Sequence, residues 1–214
     1  MARPSRNVDQ ALLDAGLELL PQTGCRGLSV RRLVDHAGVN LGMFHYHFGN
    51  KNNFIRTVLA RMYEEMFSAL IVKSKRGRSA IGNLRAALQV LARFARANRS
   101  VLLRIVADAM AGEQVAAEFL RANLPRHLAV LCELIGAAQR AGQIERVPVA
   151  QAMALMGGGV MVPVLLGAML VDHRFLPSRL RASFETDVAS EGALDERIEF
   201  VLRGLRPVKR RLRP

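Results

Sequence analysis

Tryptophan is absent from this 214-residue chain and aromatic residues make up only 5% of it, so its core has to be built from smaller aliphatic side chains. Cysteine is nearly as scarce. Cys25 and Cys132 are the only two, too few for a secreted disulfide framework, and they stand at no metal-ligand spacing. No long apolar run of the kind found in signal peptides opens the sequence, which predicts a cytoplasmic protein. Phosphate-cradling glycine loops, nucleophile elbows and carboxylate clusters with a histidine partner are also missing. The reading is therefore not an enzyme, with no cofactor. Acidic residues are outnumbered, 18 against 31 Lys and Arg, for a formal net charge of +13, a balance that draws a protein toward polyanions. What the chain does have is apolar residues, 50% of the total, enough to fill a substantial core in one domain or two small ones. Spaced as Leu, Ala, Val and Met are here, they predict an all-α fold.

The most informative stretch is Leu28 to Lys51, LSVRRLVDHAGVNLGMFHYHFGNK. Val30, Leu33, Val34 and Ala37 recur at i, i+3, i+4 and i+7, which places one apolar stripe along a helix from Ser29 to about His36. Ser29 is its expected N-cap and Gly38 its expected end. A second helix should start near Asn40, another capping residue, and reach about Tyr46. Helix, glycine turn and helix at 29–48 make a helix-turn-helix, whose second member lies in the DNA major groove. At about 100° per residue, Phe44 and Phe48 share the inner side. Gly42, Met43, His45 and Tyr46 point away from them. Glycine inside a helix costs about 1 kcal/mol relative to alanine, so Gly42 suggests close approach of a phosphate or base edge. His45, Tyr46 and His47 can meet phosphates, Leu41 and Met43 can touch thymine methyls, and Asn40 can reach either a base edge or a phosphate. Arg31 and Arg32 sit in the first turn of the first helix with Ser29, where like charge opposes the helix dipole unless an anion lies in front. Lys51 repeats that placement at the next helix, capped by Asn50. His36, His45 and His47 predict no metal, since His45 and His47 fall on different sides of a helix and no Cys or carboxylate joins them at ligand spacing.

Gly38 to Lys51, GVNLGMFHYHFGNK, resembles the signature of the TetR (tetracycline-repressor-like) transcriptional regulators. Asn40 stands at the family's small polar position, Gly42 at its glycine, Phe44 at its apolar position, Phe48 at its phenylalanine and Lys51 at its lysine. Two positions depart from the pattern. His45 replaces a usual tyrosine, and the bulky Met43 replaces a small residue, which points to an altered base preference. The motif match covers about the first sixty-five residues. Beyond them the resemblance is architectural. It implies an N-terminal three-helix DNA-binding domain at 6–66 and a C-terminal helical domain at 80–205 that dimerises and holds a small effector. It also implies a homodimer bound to a palindromic double-stranded DNA operator and released by its effector, with repression as the expected sign.

Along the rest of the chain, Met1 to Asn7 reads as a basic arm, with Arg3 and Arg6 able to enter a minor groove. A supporting helix follows from about Val8 to Leu20, stopped by Pro21 and Gly24. Charge is unevenly placed. Residues 1–66 carry eight bases against six acids, whereas nine bases and no acid fall between Lys73 and Arg104. That middle run reads either as a solvated helix face with the loop KSKRGRS, or as an attractor for DNA or an anionic ligand. Helices are expected at Lys51 to Val72, Ile81 to Ala97, Val101 to Ala111, Gln114 to Asn123 and Pro125 to Arg140. His173 to Gly192 reads as a polar, mobile connector, and 206–214 as a basic disordered tail.

One stretch competes with a soluble reading. Ala152 to Val171, AMALMGGGVMVPVLLGAMLV, holds no charged residue and is about the length of a membrane-spanning helix. Gly157 to Gly159 and Pro163 weaken a lone helix, with Pro163 expected to kink it, and no aromatic belt flanks the segment. The favoured reading is a dimer interface or core with no membrane, completed by a helix at Ala193 to Leu205 that carries Leu194, Ile198, Val201, Leu202 and Leu205. The alternatives are a membrane-tethered regulator using 152–171, or a helical protein-interaction module without DNA binding. A mostly apolar, Met-rich C-terminal half hints at a hydrophobic effector.

Overall fold

The computed structural model describes residues 5–77 and 79–207, and every regular element among them is helical. In order these are α1 (Ser5–Gly27), α2 (Val30–Ala37), α3 (Leu41–Phe48), α4 (Lys51–Lys73), α5 (Ala80–Ala97), α6 (Arg99–Met110), α7 (Gln114–Arg140), α8 (Val149–Met156), α9 (Val162–Asp172), α10 (Ser178–Phe184) and α11 (Glu191–Gly204). Two π-helical turns, Gly157–Met161 and Glu185–Ala189, precede α9 and α11. Packing divides the chain into two compact units. The first holds the described residues up to Glu65 together with Ser100–Leu124, and the second holds Met66–Arg99 with the described residues from Pro125 onward. This division by packing is drawn differently from the domain limits 6–66 and 80–205 expected from sequence, since it places 100–124 with the N-terminal helices.

In the first unit, Leu12, Leu19 and Leu20 of α1, Leu33 and Val34 of α2, Phe44 of α3, and Phe54, Ile55, Val58 and Leu59 of α4 are all buried. Gly16 lets α1 come close to α4, because a Cβ there would lie 2.7 Å from the Phe54 ring. Several sequence expectations need correction here. The first helix begins at Ser5, not Val8, and so takes in Arg6; it also runs through Pro21. A proline near a helix end removes only one intrahelical donor, so the last turn survives. The break falls instead at Gly24, with φ 67 and ψ −178. Likewise Pro125 lies inside the continuous helix α7 and does not start a new one. Arg3, Arg78 and the tail from 208 lie outside the described residues.

The second unit answers the question posed by the middle basic run. Arg85, Gln89, Arg93 and Arg96 line one side of α5 and face acids of α11 running the opposite way. Arg85 pairs with Glu199, Gln89 donates to Asp195 at 2.8 Å, Arg93 lies 3.3 Å from Asp195, and Arg96 lies 3.8 Å from Glu191. Arg99 extends the ladder to Glu185 at 2.8 Å. Much of the apparent cation surplus between Lys73 and Arg104 is thus compensated by acids about a hundred residues later in the chain. Beneath the ladder Leu84, Leu88 and Leu91 meet a buried core to which α11 contributes Leu194, Ile198 and Leu202.

The expected connector 173–192 is mostly helical, because Phe184 is buried and its ring sits where a Cβ on Gly167 would be. Val188 also accepts from Arg197 at 2.8 Å. The apolar stretch is not one α-helix. A π turn at Gly157–Met161 absorbs the register change before Pro163, which then occupies the first turn of α9, where its missing donor costs nothing. Val149–Val171 remains long and apolar enough to cross a membrane, with mean hydropathy 2.1 and 18% of its most apolar window buried.

Removing one rung of the ladder, Glu199→Gln, should lower the stability of the protein by about 1 kcal/mol in low salt. Thermal melts repeated in about 0.5 M NaCl should show a smaller difference, since screening weakens the pair in the parent. An equal loss at both salt concentrations would mean that Glu199 stabilises by packing and not by charge.

Candidate nucleic-acid interface

Local capping shapes the head. Ser29, extended at φ −97, accepts from Arg32 N–H at 3.4 Å and opens α2. Gly38 closes it in the left-handed region at φ 66, where a side chain would be strained, and Val39 N–H then reaches Val34 O at 3.0 Å. Asn40 opens α3 with Oδ1 accepting from Met43 N–H at 2.9 Å. Asn50 does the same for α4, accepting from Asn53 N–H at 3.0 Å. Helix 3 ends at Phe48, two residues beyond the expected end at Tyr46, where Gly49 takes φ 72.

The inner side of α3 is an aromatic cluster. Phe44 is fully buried, with ring centroids 5.5 Å from Phe54 and 5.8 Å from Phe48, and Phe48 lies edge-on to Phe54 at 4.9 Å. Phe54, the fourth residue of α4 and the first of its apolar stretch, completes the cluster from the next helix. The outer side carries Leu41, 48% exposed, Tyr46, 80% exposed, and exposed Gly42 and His45. A Cβ on Gly42 would meet only the Asn40 cap oxygen, at 3.2 Å, so little else in the chain demands glycine there. His45 Nδ1 lies 2.9 Å from Gly49 O. A carbonyl only accepts, so that nitrogen carries the proton and Nε2 of the neutral ring is left as an acceptor.

The remaining candidates are placed less uniformly. Arg31 and Arg32 are exposed at the start of α2, and Arg32 donates to Gln22 Oε1 at 3.1 Å. Met43 is half-buried. His47 is also half-buried, and its Nε2 is enclosed without a hydrogen-bond partner. Lys51 Nζ donates to Arg26 O at 2.8 Å, which fastens the end of α1 to the start of α4. Ser29 spends its hydroxyl on the cap. His36 meets Glu18 at 2.7 Å.

A capped, eight-residue helix with aromatic rings on one side and an open face on the other, set at a glycine corner beside two exposed arginines, has the form of the second member of a helix-turn-helix. The N-terminal segment of the chain is similar to TetR-type DNA-binding regions. Residues 12–58 match the family of bacterial regulatory proteins described as the tetR family. Solved structures share the fold over nearly the whole length. The ketosteroid transcriptional regulator of Mycobacterium tuberculosis is 13% identical with a TM-score of 0.70, covering 97% of this chain and 99% of its own. A TetR family regulator from Thermus thermophilus is 18% identical with a TM-score of 0.66, covering 92% and 99%. A Rhodococcus transcriptional regulator is 24% identical with a TM-score of 0.62, covering 94% and 98%. No curated protein sequence matches the chain.

Both cysteines are free. Burial, followed by the nearby charges of Asp108 and Glu113, pushes the Cys25 thiol up to about 12. At pH 7 that leaves a thiolate fraction of about one in 10⁵. A colorimetric thiol assay on native protein should therefore react only at exposed Cys132, and unfolding should release Cys25. Rapid labelling of native Cys132→Ser would contradict the buried placement of Cys25.

Proposed function

We propose that the chain acts as a cytoplasmic, homodimeric one-component repressor, binding rather than catalysing. Two heads occupy the half-sites of a palindromic operator. A small hydrophobic effector, held by the C-terminal helices within 80–205, favours a conformation that no longer fits them. The coupling is thermodynamic, because an effector releases DNA only to the extent that it prefers the released state.

The observation that carries this reading is the orientation of α3. Tyr46 is 80% exposed while Phe44, two residues earlier, is wholly buried. Around that face Asn40, Leu41, Gly42, Met43, His45 and Tyr46 supply contacts to bases and phosphates, while Arg31, Arg32 and Lys51 supply phosphate charge. Ser29 acts through its cap, which aims the start of α2. The half-buried, enclosed ring of His47 gives it a supporting place behind Tyr46, with ring centroids 5.1 Å apart.

Dimerisation rests on the apolar residues that the single chain leaves uncovered. Leu155, Val162 and Leu166 of α8 and α9 are 47%, 46% and 43% exposed, and Phe200 of α11 is 55% exposed. The same segment supports a second reading, a membrane tether, because Val149–Val171 is long and apolar enough to span a bilayer.

Selection of bound fragments from a random duplex pool, followed by salt-titrated anisotropy, tests the interface. Lys51→Ala should weaken binding to every sequence and lower the salt slope by about 1. Met43→Ala should instead change the ranking of sites. Equal effects of both variants on all sequences would contradict these assignments. Sedimentation tests the oligomer. Wild type should run as a dimer and Leu166→Glu as a folded monomer, whereas wild type that pellets with lipid would favour the tether.

A further inference from the structure

The kink near the end of α1 is held from α6. At Gly24 the backbone leaves helical geometry, with φ 67 and ψ −178, so the next amides start a new helical turn without carbonyls in line behind them. A carboxylate takes their place. Cys25 N–H donates to Asp108 Oδ2 at 2.6 Å, and Arg26 N–H faces the same oxygen at 3.5 Å. One turn earlier on α6, Arg104 donates to Gln22 O at 3.3 Å. The fit excludes a side chain at Gly24, where a Cβ would overlap Asp108 Oδ2 and lie 2.8 Å from Arg104 Cγ.

The residues gripped in this way are those on which two DNA-contact candidates rest. Arg26 offers its carbonyl to Lys51 Nζ at 2.8 Å, and Gln22 offers its side-chain oxygen to Arg32 at 3.1 Å. The backbone of Arg26 is therefore approached by Asp108 at its N–H and by Lys51 at its carbonyl. We propose that Asp108, assisted by Arg104, is a positioning residue for DNA binding: its carboxylate locks the Gly24 corner and so presets where Lys51 and Arg32 stand. The proposal rests on the reading of α3 and its flanking bases as the DNA interface. Asp108 itself touches no DNA in this scheme, and its charge is spent on backbone amides, where an ionised acceptor makes the stronger bond.

The test uses the full-length protein, a duplex selected by the wild type, and amide exchange measured peptide by peptide. Asp108→Asn keeps the shape but removes the charge. Affinity for the duplex should fall about tenfold, the size expected when a charged hydrogen bond is lost, while the salt slope stays that of wild type because no phosphate contact has gone. Exchange should rise in residues 22–28 and stay unchanged in 41–48. Wild-type affinity in Asp108→Asn would overturn the proposal and leave the interface reading intact. Failure of the wild type to bind any duplex would remove the interface, and the proposal with it. Should Asp108→Asn loosen the whole head, Asp108→Glu decides. Recovery of affinity with a restored carboxylate supports the positioning role, and a folded Asp108→Glu protein that still binds poorly overturns it.

Discussion

The rings of Phe44, Phe48 and Phe54 fix which side of α3 the rest of the protein can see. An eight-residue helix has no persistence of its own in water, so its geometry comes from what it is fastened to. Burying one phenylalanine contributes about 1.5 to 3 kcal/mol, more than any single exposed polar contact returns, so the inner side is chosen by Phe44. Periodicity then turns Gly42, His45 and Tyr46 outward without further instruction. The caps at Asn40 and Gly49 set where the helix starts and stops, and the rings set its rotation. Together they leave little freedom for the face turned to solvent.

This part of the fold could be read from the residues alone because every determinant lies within one or two turns of its effect. Ser29, Gly38 and Asn40 act on amides and dihedrals beside them. The alternation of inner and outer positions needs only the 3.6-residue repeat. Where determinants lie far apart, legibility fails. Pro21 and Gly24 look like two stop signals of equal weight, yet only the glycine breaks the helix, and its partner Asp108 stands 83 residues beyond Cys25. Pro125 misleads too, since helix α7 continues through it. The polar stretch after His173 looked mobile because the cavity that holds the Phe184 ring exists only when Gly167 of α9 is next to it.

Charge shows the same division between what can be counted and what must be folded. The surplus of +13 and the acid-free run from Lys73 to Arg104 are plain in the sequence, but where those cations point is not. Helix α11 brings Glu191, Asp195 and Glu199 along α5 at matching turns, so three of the nine cations in that run pair with acids of that helix. Partly exposed pairs of this kind add modestly to stability. Both rows repeat at about one turn, so sliding α11 by a turn would still leave acids near bases and would forfeit only an end rung.

The apolar segment 149–171 is the place where composition and structure pull apart most. As a string it satisfies the length and hydropathy of a membrane helix. Folded, its glycines have specific internal uses. A Cβ on Gly159 would lie 2.7 Å from Val201 of α11, and one on Gly167 would strike the Phe184 ring. Small residues that let one helix approach another are used in bilayers too, but here the helices that approach carry charge and face water on their other sides. A tether would have to give up those contacts and expose Val160 and Val164, both fully buried, to lipid in place of protein. What remains uncovered, Leu155, Val162 and Leu166, is spaced along one side of two helices joined by a π turn. A second protein surface with the same pattern would cover such a stripe without undoing the core behind it, whereas spanning a bilayer would take that core apart.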